Sequence, residues 1–528
     1  MSYEGQIHHP HQRGTPPNAH LIESKLGEWN PTGLQLVQAH WFVRHGERSP
    51  VRRRLTGVGD IPSVFQLCAA GRQFSNAVLD VTRASTQRPE LVRDDIDNGT
   101  ASTKVHSFEG AEVDRGSSYQ NEEREVIGNV EGASRRRRAR LAPSVLNVRR
   151  LTEQQGDGNE SIKGGMSDCY WGELTDLGRE STLTLGTLLR KLYVDRLQFL
   201  PSTLPDVRVQ DNPVTFRSTG MMRTIESLHQ IAVGLFPEGY RQGPVEYTVR
   251  NANDESLYPN SLCPQVGSLL MLRMRAIDIA GAKKAADNYN DSLAEIDPLV
   301  RKYIKSSLRI DGKPAASSVL DTIYVARAHG IRVPSEFEDP RILKTLEAAV
   351  VHEWFDVYSN NEFRKLAMGR LLGDLNATLQ RKAADVAERT EKTKLAIYAC
   401  HDTSVGGILN ALDAFDGRWP PFTSHLAVEL FRSKSASTAS SSASFLSSFV
   451  PSFLRPGSSQ QHYVRLLFNA KSVSLPACQA VGKHLPGSNG TVCTLEAFSE
   501  AVNKVAMTGQ EWEQGCAVVV KPSTSVQA

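Results

Sequence analysis

Arg44-His45-Gly46-Glu47-Arg48-Ser49-Pro50 follows directly on the apolar stretch 34–43, and both fold and chemistry are read outward from that junction. A near-continuous apolar run of this length predicts a strand buried on both faces. Few structural needs place a histidine between two arginines at its end. Two cations beside an imidazole disfavour its protonated form, which keeps a ring nitrogen free as a nucleophile at neutral or mildly acid pH. Arg44 and Arg48 also offer planar forks of donors that match phosphoryl oxygens two at a time. Their charge offsets the charge on the equatorial oxygens of a phosphoryl group in transfer. Taken alone, the stretch also reads as a strand end with solvated charges.

Two later clusters share this arrangement. Phe216-Arg217-Ser218-Thr219 is followed a helical turn later by Arg223-Thr224, and His401-Asp402 follows Leu395-Ala396-Ile397-Tyr398-Ala399-Cys400. Each lies just past a predicted strand. Ligands of open α/β sheets bind outside the carboxyl ends of the strands, so three distant clusters are expected to converge there. In that arrangement His45 attacks phosphorus while Arg44, Arg48 and Arg217 hold the non-bridging oxygens. His401 adds a donor. Asp402 protonates the leaving alkoxide and then, as carboxylate, draws a proton from the water that hydrolyses the phosphohistidine. Alone, His401-Asp402 reads as a helix cap, and Arg217 carries less still. The three clusters together carry the reading. No metal and no cofactor enter the scheme, and no D-x-D or H-E-x-x-H signature competes for the role.

The 528 residues suffice for one large domain with insertions or for two or three domains. Lys and Arg number 61 against 58 Asp and Glu, a net charge of +3 that points to neither nucleic acid nor a membrane surface. Seven cysteines, at 68, 169, 263, 400, 478, 493 and 516, form no C-x-x-C pair and fit neither a zinc site nor a disulfide scaffold; the odd number implies at least one free thiol. The first twenty residues lack the apolar core of a secretory signal, and Arg13 alone makes a poor mitochondrial presequence. Cytoplasm is the expected location, with the mitochondrion as the alternative. No apolar run is long enough to span a membrane.

Composition divides the chain. Residues 1–33 read as a disordered tail, including His8, His9 and His11. An α/β core is expected over 34–83, 164–245, 393–432 and 462–528, and a helical cap over 246–392, rich in Leu, Ala, Arg, Lys and Glu. Residues 84–163, with Arg135-Arg136-Arg137-Arg138-Ala139-Arg140 in their midst, and the Ser-rich 433–461 read as insertions.

The heptapeptide, Phe216-Arg217-Ser218-Thr219 with Arg223, the later His401-Asp402 and Gly172-Glu173-Leu174-Thr175-Asp176-Leu177-Gly178 together resemble the signature of the histidine acid phosphatases, branch 2 of the histidine phosphatase superfamily. More narrowly, Ile162-Lys163-Gly164-Gly165-Met166 and Leu257-Tyr258-Pro259-Asn260 with Cys263-Pro264 resemble the lysophosphatidic acid phosphatase type 6 subgroup. The resemblance implies an α/β fold: a phosphoglycerate-mutase-like three-layer core with a mostly parallel central sheet, plus a smaller inserted helical cap domain. It implies a phosphomonoesterase with a phosphohistidine intermediate, acting on lysophosphatidic acid or a similar small phosphomonoester. An inositol-phosphate or general acid phosphatase is the alternative, and a catalytically inactive phosphate-binding scaffold the alternative of another class. Cys478 and Cys493 resemble a disulfide pair of secreted members, yet in a cytosolic chain they are expected reduced.

Overall fold

The computed structural model describes residues 14–70, 73–78, 144–155, 161–165, 167–207, 211–267, 280–385, 391–434 and 461–517. The basic block 135–140, the histidines of the first 13 residues and most of both expected insertions lie outside the described residues. The chain forms two units, 72–150 and the remainder.

Strand β1 (Leu34–Arg44) is buried along nearly its whole length. Its side chains alternate between faces: Trp41 and Val43 enter one hydrophobic cluster, Phe42 the other. Two of its buried polar side chains are each half satisfied: Gln38 Nε2 donates to the Thr393 carbonyl at 3.1 Å and His40 Nδ1 lies 3.2 Å from the Tyr398 hydroxyl, while Gln38 Oε1 and His40 Nε2 have no hydrogen-bond partner. In the 72–150 unit, β2 (Gln73–Val78) pairs antiparallel with β3 (Ser144–Arg149). In the larger unit, β4 (Glu153–Gln155) pairs with β5 (Ser161–Lys163).

The main sheet adds β6 (Val214–Ser218), β7 (Thr248–Val249), β8 (Leu395–Cys400), β9 (His425–Ser433), β10 (His462–Phe468), β11 (Lys471–Val473) and β12 (Val492–Thr494) to β1. Its order is β11-β10-β9-β1-β8-β6-β7, with β12 on β10. The run β1-β8-β6-β7 is parallel, whereas β9 to β12 pair antiparallel. The sheet is therefore mixed, and its parallel half carries all three clusters predicted from sequence.

Helices α1 (Ala19–Lys25), α2 (Asp176–Leu189) and α3 (Met222–Leu235) cover the Trp41 face. Helices α4 (Ala280–Ile304), α5 (Ala316–Ala328) and α6 (Pro340–Phe355) bury a core of their own around Val319, Ile323 and Leu346. The other face of the sheet takes α7 (Asn361–Ala384), α8 (Asp402–Ala411) and α9 (Leu495–Asn503); α10 (Gly509–Cys516) packs there through Trp512.

Two expectations are corrected. From residue 14 onward the N-terminal segment is not a disordered tail: Ile22 is fully buried, and Trp29 Nε1 donates to Glu429 at 2.7 Å. The segment is polar in composition, but these two apolar side chains anchor it. The cysteines do form a disulfide framework, Cys68–Cys169, Cys263–Cys516 and Cys478–Cys493, leaving Cys400 as a buried free thiol. Two of the bridges join residues 101 and 253 positions apart, partners that only the fold brings together.

Candidate active site

The register Arg44↔Cys400 and Ser218↔Ala399 brings the carboxyl ends of β1, β8 and β6 level. His45 N donates to the Cys400 carbonyl at 3.0 Å, and Thr219 N to that of Ala399 at 3.2 Å, so the residues after each strand stay along one edge. Helices α3 and α8 start at that edge, which turns their unsatisfied N–H groups and positive dipole ends toward it. The loop after β1 is pinned from below. Gly46 lies against Gly178 of α2 so closely that a Cβ on either would overlap the other segment's backbone. Gly46 N also donates to Ser227 Oγ of α3 at 3.1 Å.

His45 is buried, and its Nδ1 lies 2.8 Å from the Gly46 carbonyl. A carbonyl only accepts, so Nδ1 carries the proton and Nε2 of the neutral ring keeps its lone pair. Burial holds the His45 pKa well below the ordinary imidazole value, and Arg223, Arg44, Arg48 and His401 push it further down. The ring therefore stays neutral in mild acid. His401 packs against it edge-on at 5.8 Å between centroids and lies 3.0 Å from Thr219 Oγ1 through Nε2. Burial first, then Arg223, lowers the His401 pKa to about 3. On its far side His401 meets the ring of Tyr258 at 5.7 Å.

Arg44 and Arg48 are each held by one carboxylate: Arg44 by Asp402 at 2.8 Å, Arg48 by Asp321 of α5 at 2.8 Å. The Arg44 guanidinium also stacks over Phe422, 4.2 Å from the ring centroid. Arg44 Nε, Arg48 Nε and Arg223 Nε are buried without a hydrogen-bond partner, donors available to an anion. Burial pulls the Asp402 pKa up, but Arg44, Arg48 and His401 pull harder and leave it below the usual carboxylate value. Asp402 combines the two readings made from sequence. It opens α8 and accepts from Thr403 N at 2.8 Å, and it also reaches the arginines beside His45. Behind the loop, Glu47 is partly buried and accepts from Ser181 Oγ at 2.6 Å; desolvation pushes its pKa up to about 6.

Five of the six residues singled out from sequence thus meet: Arg44, His45, Arg48, His401 and Asp402. Arg217 goes elsewhere. It donates to Glu255 at 2.6 Å and to Ser256 Oγ at 3.3 Å, and it is not among the charges that act most on His45. The cation that acts most on His45 is Arg223, six residues on, whose own pKa burial and then Arg48 lower to about 10. Its placement has a sequence signal. Arg223 falls in the first turn of a helix that starts at the sheet edge, whereas Arg217 lies within the strand. Asp321 and Phe422 were not foreseen.

A model of the histidine phosphatase superfamily, branch 2, matches residues 35–469. The chain belongs to that family and is a histidine acid phosphatase, an enzyme that hydrolyses phosphoric monoesters. A probable acid phosphatase of Schizosaccharomyces pombe is 30% identical over 516 residues, 93% of this chain and 96% of that protein. The lysophosphatidic acid phosphatase type 6 of Homo sapiens is 31% identical over 277 residues, which span 52% of this chain and 59% of that protein. Among solved structures, the apo form of Hafnia alvei phytase aligns over 93% of this chain and all of its own, with a TM-score of 0.46 and 12% identity.

Proposed function

We propose that the enzyme cleaves small phosphomonoesters through a phosphohistidine on His45, with lysophosphatidic acid or a close relative as substrate. The observation that carries the mechanism is the hydrogen bond from His45 Nδ1 to the Gly46 carbonyl, which leaves Nε2 as the attacking atom among Arg44, Arg48 and Arg223. These guanidiniums bind the non-bridging oxygens and offset the charge they bear in the transition state. Before substrate binds, Asp402 is ionised because arginines surround it. An incoming phosphate engages those arginines and adds negative charge, so Asp402 takes up a proton and can donate it to the leaving alkoxide. Once ionised again, it accepts a proton from the water that attacks phosphohistidine. Neutral His401, wedged between His45 and Tyr258, keeps the nucleophile's ring in place.

The lipid reading is supported by the similarity to the type 6 phosphatases and by Met221 and Met222, exposed apolar side chains immediately before Arg223. A second reading, an inositol phosphate as substrate, is favoured by Arg52 and Arg53, which stand exposed just after the catalytic loop. Turnover of lysophosphatidic acid and inositol hexakisphosphate by the purified protein decides between them. Preference for the lipid supports the first reading, and strong preference for the inositol overturns it. Three disulfides fit an oxidising compartment, and we include that location in the proposal. Among the described residues, no helix is long and apolar enough to cross a membrane.

A further inference from the structure

Arg44 and Arg48 are neutralised from opposite sides. Asp402, which holds Arg44, belongs to the sheet layer and has a part in hydrolysis. Asp321, which holds Arg48, comes from the middle of α5 in the helical block and has none in the scheme above. Its second oxygen accepts from Val51 N at 3.3 Å, so one carboxylate fastens α5 both to a pocket arginine and to the backbone just beyond the catalytic loop. Its charge acts on Arg44 and Arg54 as well. Asp321 therefore stands, among the described residues, as the carboxylate that the helical block contributes to a basic field.

We propose that Asp321 is a positioning residue that sets which ionisation state of the phosphoryl group the pocket holds, and how readily it releases product. The proposal rests on the phosphatase reading above and adds to it. Three guanidiniums, Arg44, Arg48 and Arg223, face two carboxylates, Asp402 and Asp321, with both histidines neutral. These five side chains sum to one net positive charge, with Arg54 and, once ionised, Glu47 adding one charge of each sign at the margin. That balance is matched to a phosphomonoester monoanion, the form that dominates below about pH 6. Without Asp321 the balance rises to two positive charges, matched to a dianion. Inorganic phosphate, the product, is then held more tightly at neutral pH. Asp321 thus weakens product binding, while its contact with Arg48 Nη2 keeps the guanidinium fork oriented.

The test is Asp321→Asn, which keeps an oxygen for the Val51 amide and removes the charge, measured with para-nitrophenyl phosphate from about pH 4 to 8. Inhibition by inorganic phosphate at pH 7 should tighten by about tenfold. Activity at pH 7 relative to pH 5 should rise, and Asp321→Glu should restore both toward wild type. Should the asparagine variant fold poorly, Asp321→Ser carries the same prediction, with an added loss of kcat because Arg48 is no longer held. Unchanged or weaker phosphate inhibition together with an unmoved pH profile overturns the proposal. Wild-type turnover in the same assay separates this from failure of the phosphatase reading, which predicts no activity in any variant.

Discussion

Two arginine clusters sit along the parallel half of the sheet, and they differ in balance rather than composition. In one, Arg44, Arg48 and Arg223 outnumber Asp402 and Asp321 and surround a neutral imidazole. In the other, Arg217, Arg250 and Arg370 are met by Glu255, Asp374 and Asp254. There Glu255 Oε1 takes Arg217, Ser256 N and Leu257 N together, and Arg370 donates to the Glu255 carbonyl at 3.0 Å. The second cluster is a clamp on segment 255–258, and that segment ends in the Tyr258 that leans on His401. The number of arginines does not mark a phosphate site. In the proposed mechanism, an excess of cations beside an imidazole that stays unprotonated does.

The sharpest way to break this contrast is at the nucleophile. His45→Ala should lower kcat by about 10⁴-fold or more with the melting temperature little changed, as measured by steady-state kinetics and thermal denaturation. If activity survives, the first cluster is not the reacting one. Next come the two arginines. Arg223→Ala should lower kcat/KM by about 10²- to 10³-fold while the protein stays folded. Arg217→Ala should cost about 3 kcal/mol of stability, because it strands the buried Glu255, with the folded enzyme within a few-fold of wild-type activity. Reversed outcomes would exchange the roles of the two clusters. Replacing Cys263 and Cys516, whose bridge anchors the chain beyond the clamp, should cost about 3 kcal/mol in denaturant titrations and leave the pocket chemistry intact.

The smallest effect concerns pH. Glu353 of α6 accepts from Ser317 at the start of α5, and burial pushes its pKa up to about 7. In the unfolded chain it ionises near 4.5, so its stabilising contribution is complete below that pH and is lost as pH rises through 7. Buried histidines slope the other way. Burial takes His40 to about 3 and His425 to about 4, so their contribution is present above about 6.5 and lost as the pH falls. Comparing Glu353→Gln with wild type cancels the histidines. The two should melt together near pH 4.5, and the variant should melt higher at pH 7.5.

The parts of this molecule that can be read from sequence are those in which chemistry and secondary structure occupy contiguous residues. The run 34–50 shows its strand and its proposed nucleophile together, and His401-Asp402 is legible because a strand end and a helix start bracket it. Arg217 misleads because it carries the right chemistry in the same short stretch as Arg223, and only the strand-to-helix boundary separates one that enters the clamp from one that enters the pocket. Asp321 leaves no trace: it is one acid in a helix, and its meaning comes from a partner 273 positions earlier in the chain. The cysteine pairs are hidden for the same reason, and the N-terminal helix is hidden by polar neighbours that outweigh Ile22 and Trp29.

The most direct test of the account is to trap the phosphoryl group on His45. Asp402→Asn, given labelled para-nitrophenyl phosphate, should form the intermediate readily, since that phenolate leaves without a proton, and should break it down slowly, since no base activates water. Quenched in alkali, where phosphohistidine survives, the label should be on the peptide carrying His45 and absent from the His45→Ala protein. A burst of phenolate with no label on His45, or with label on another residue, contradicts the account.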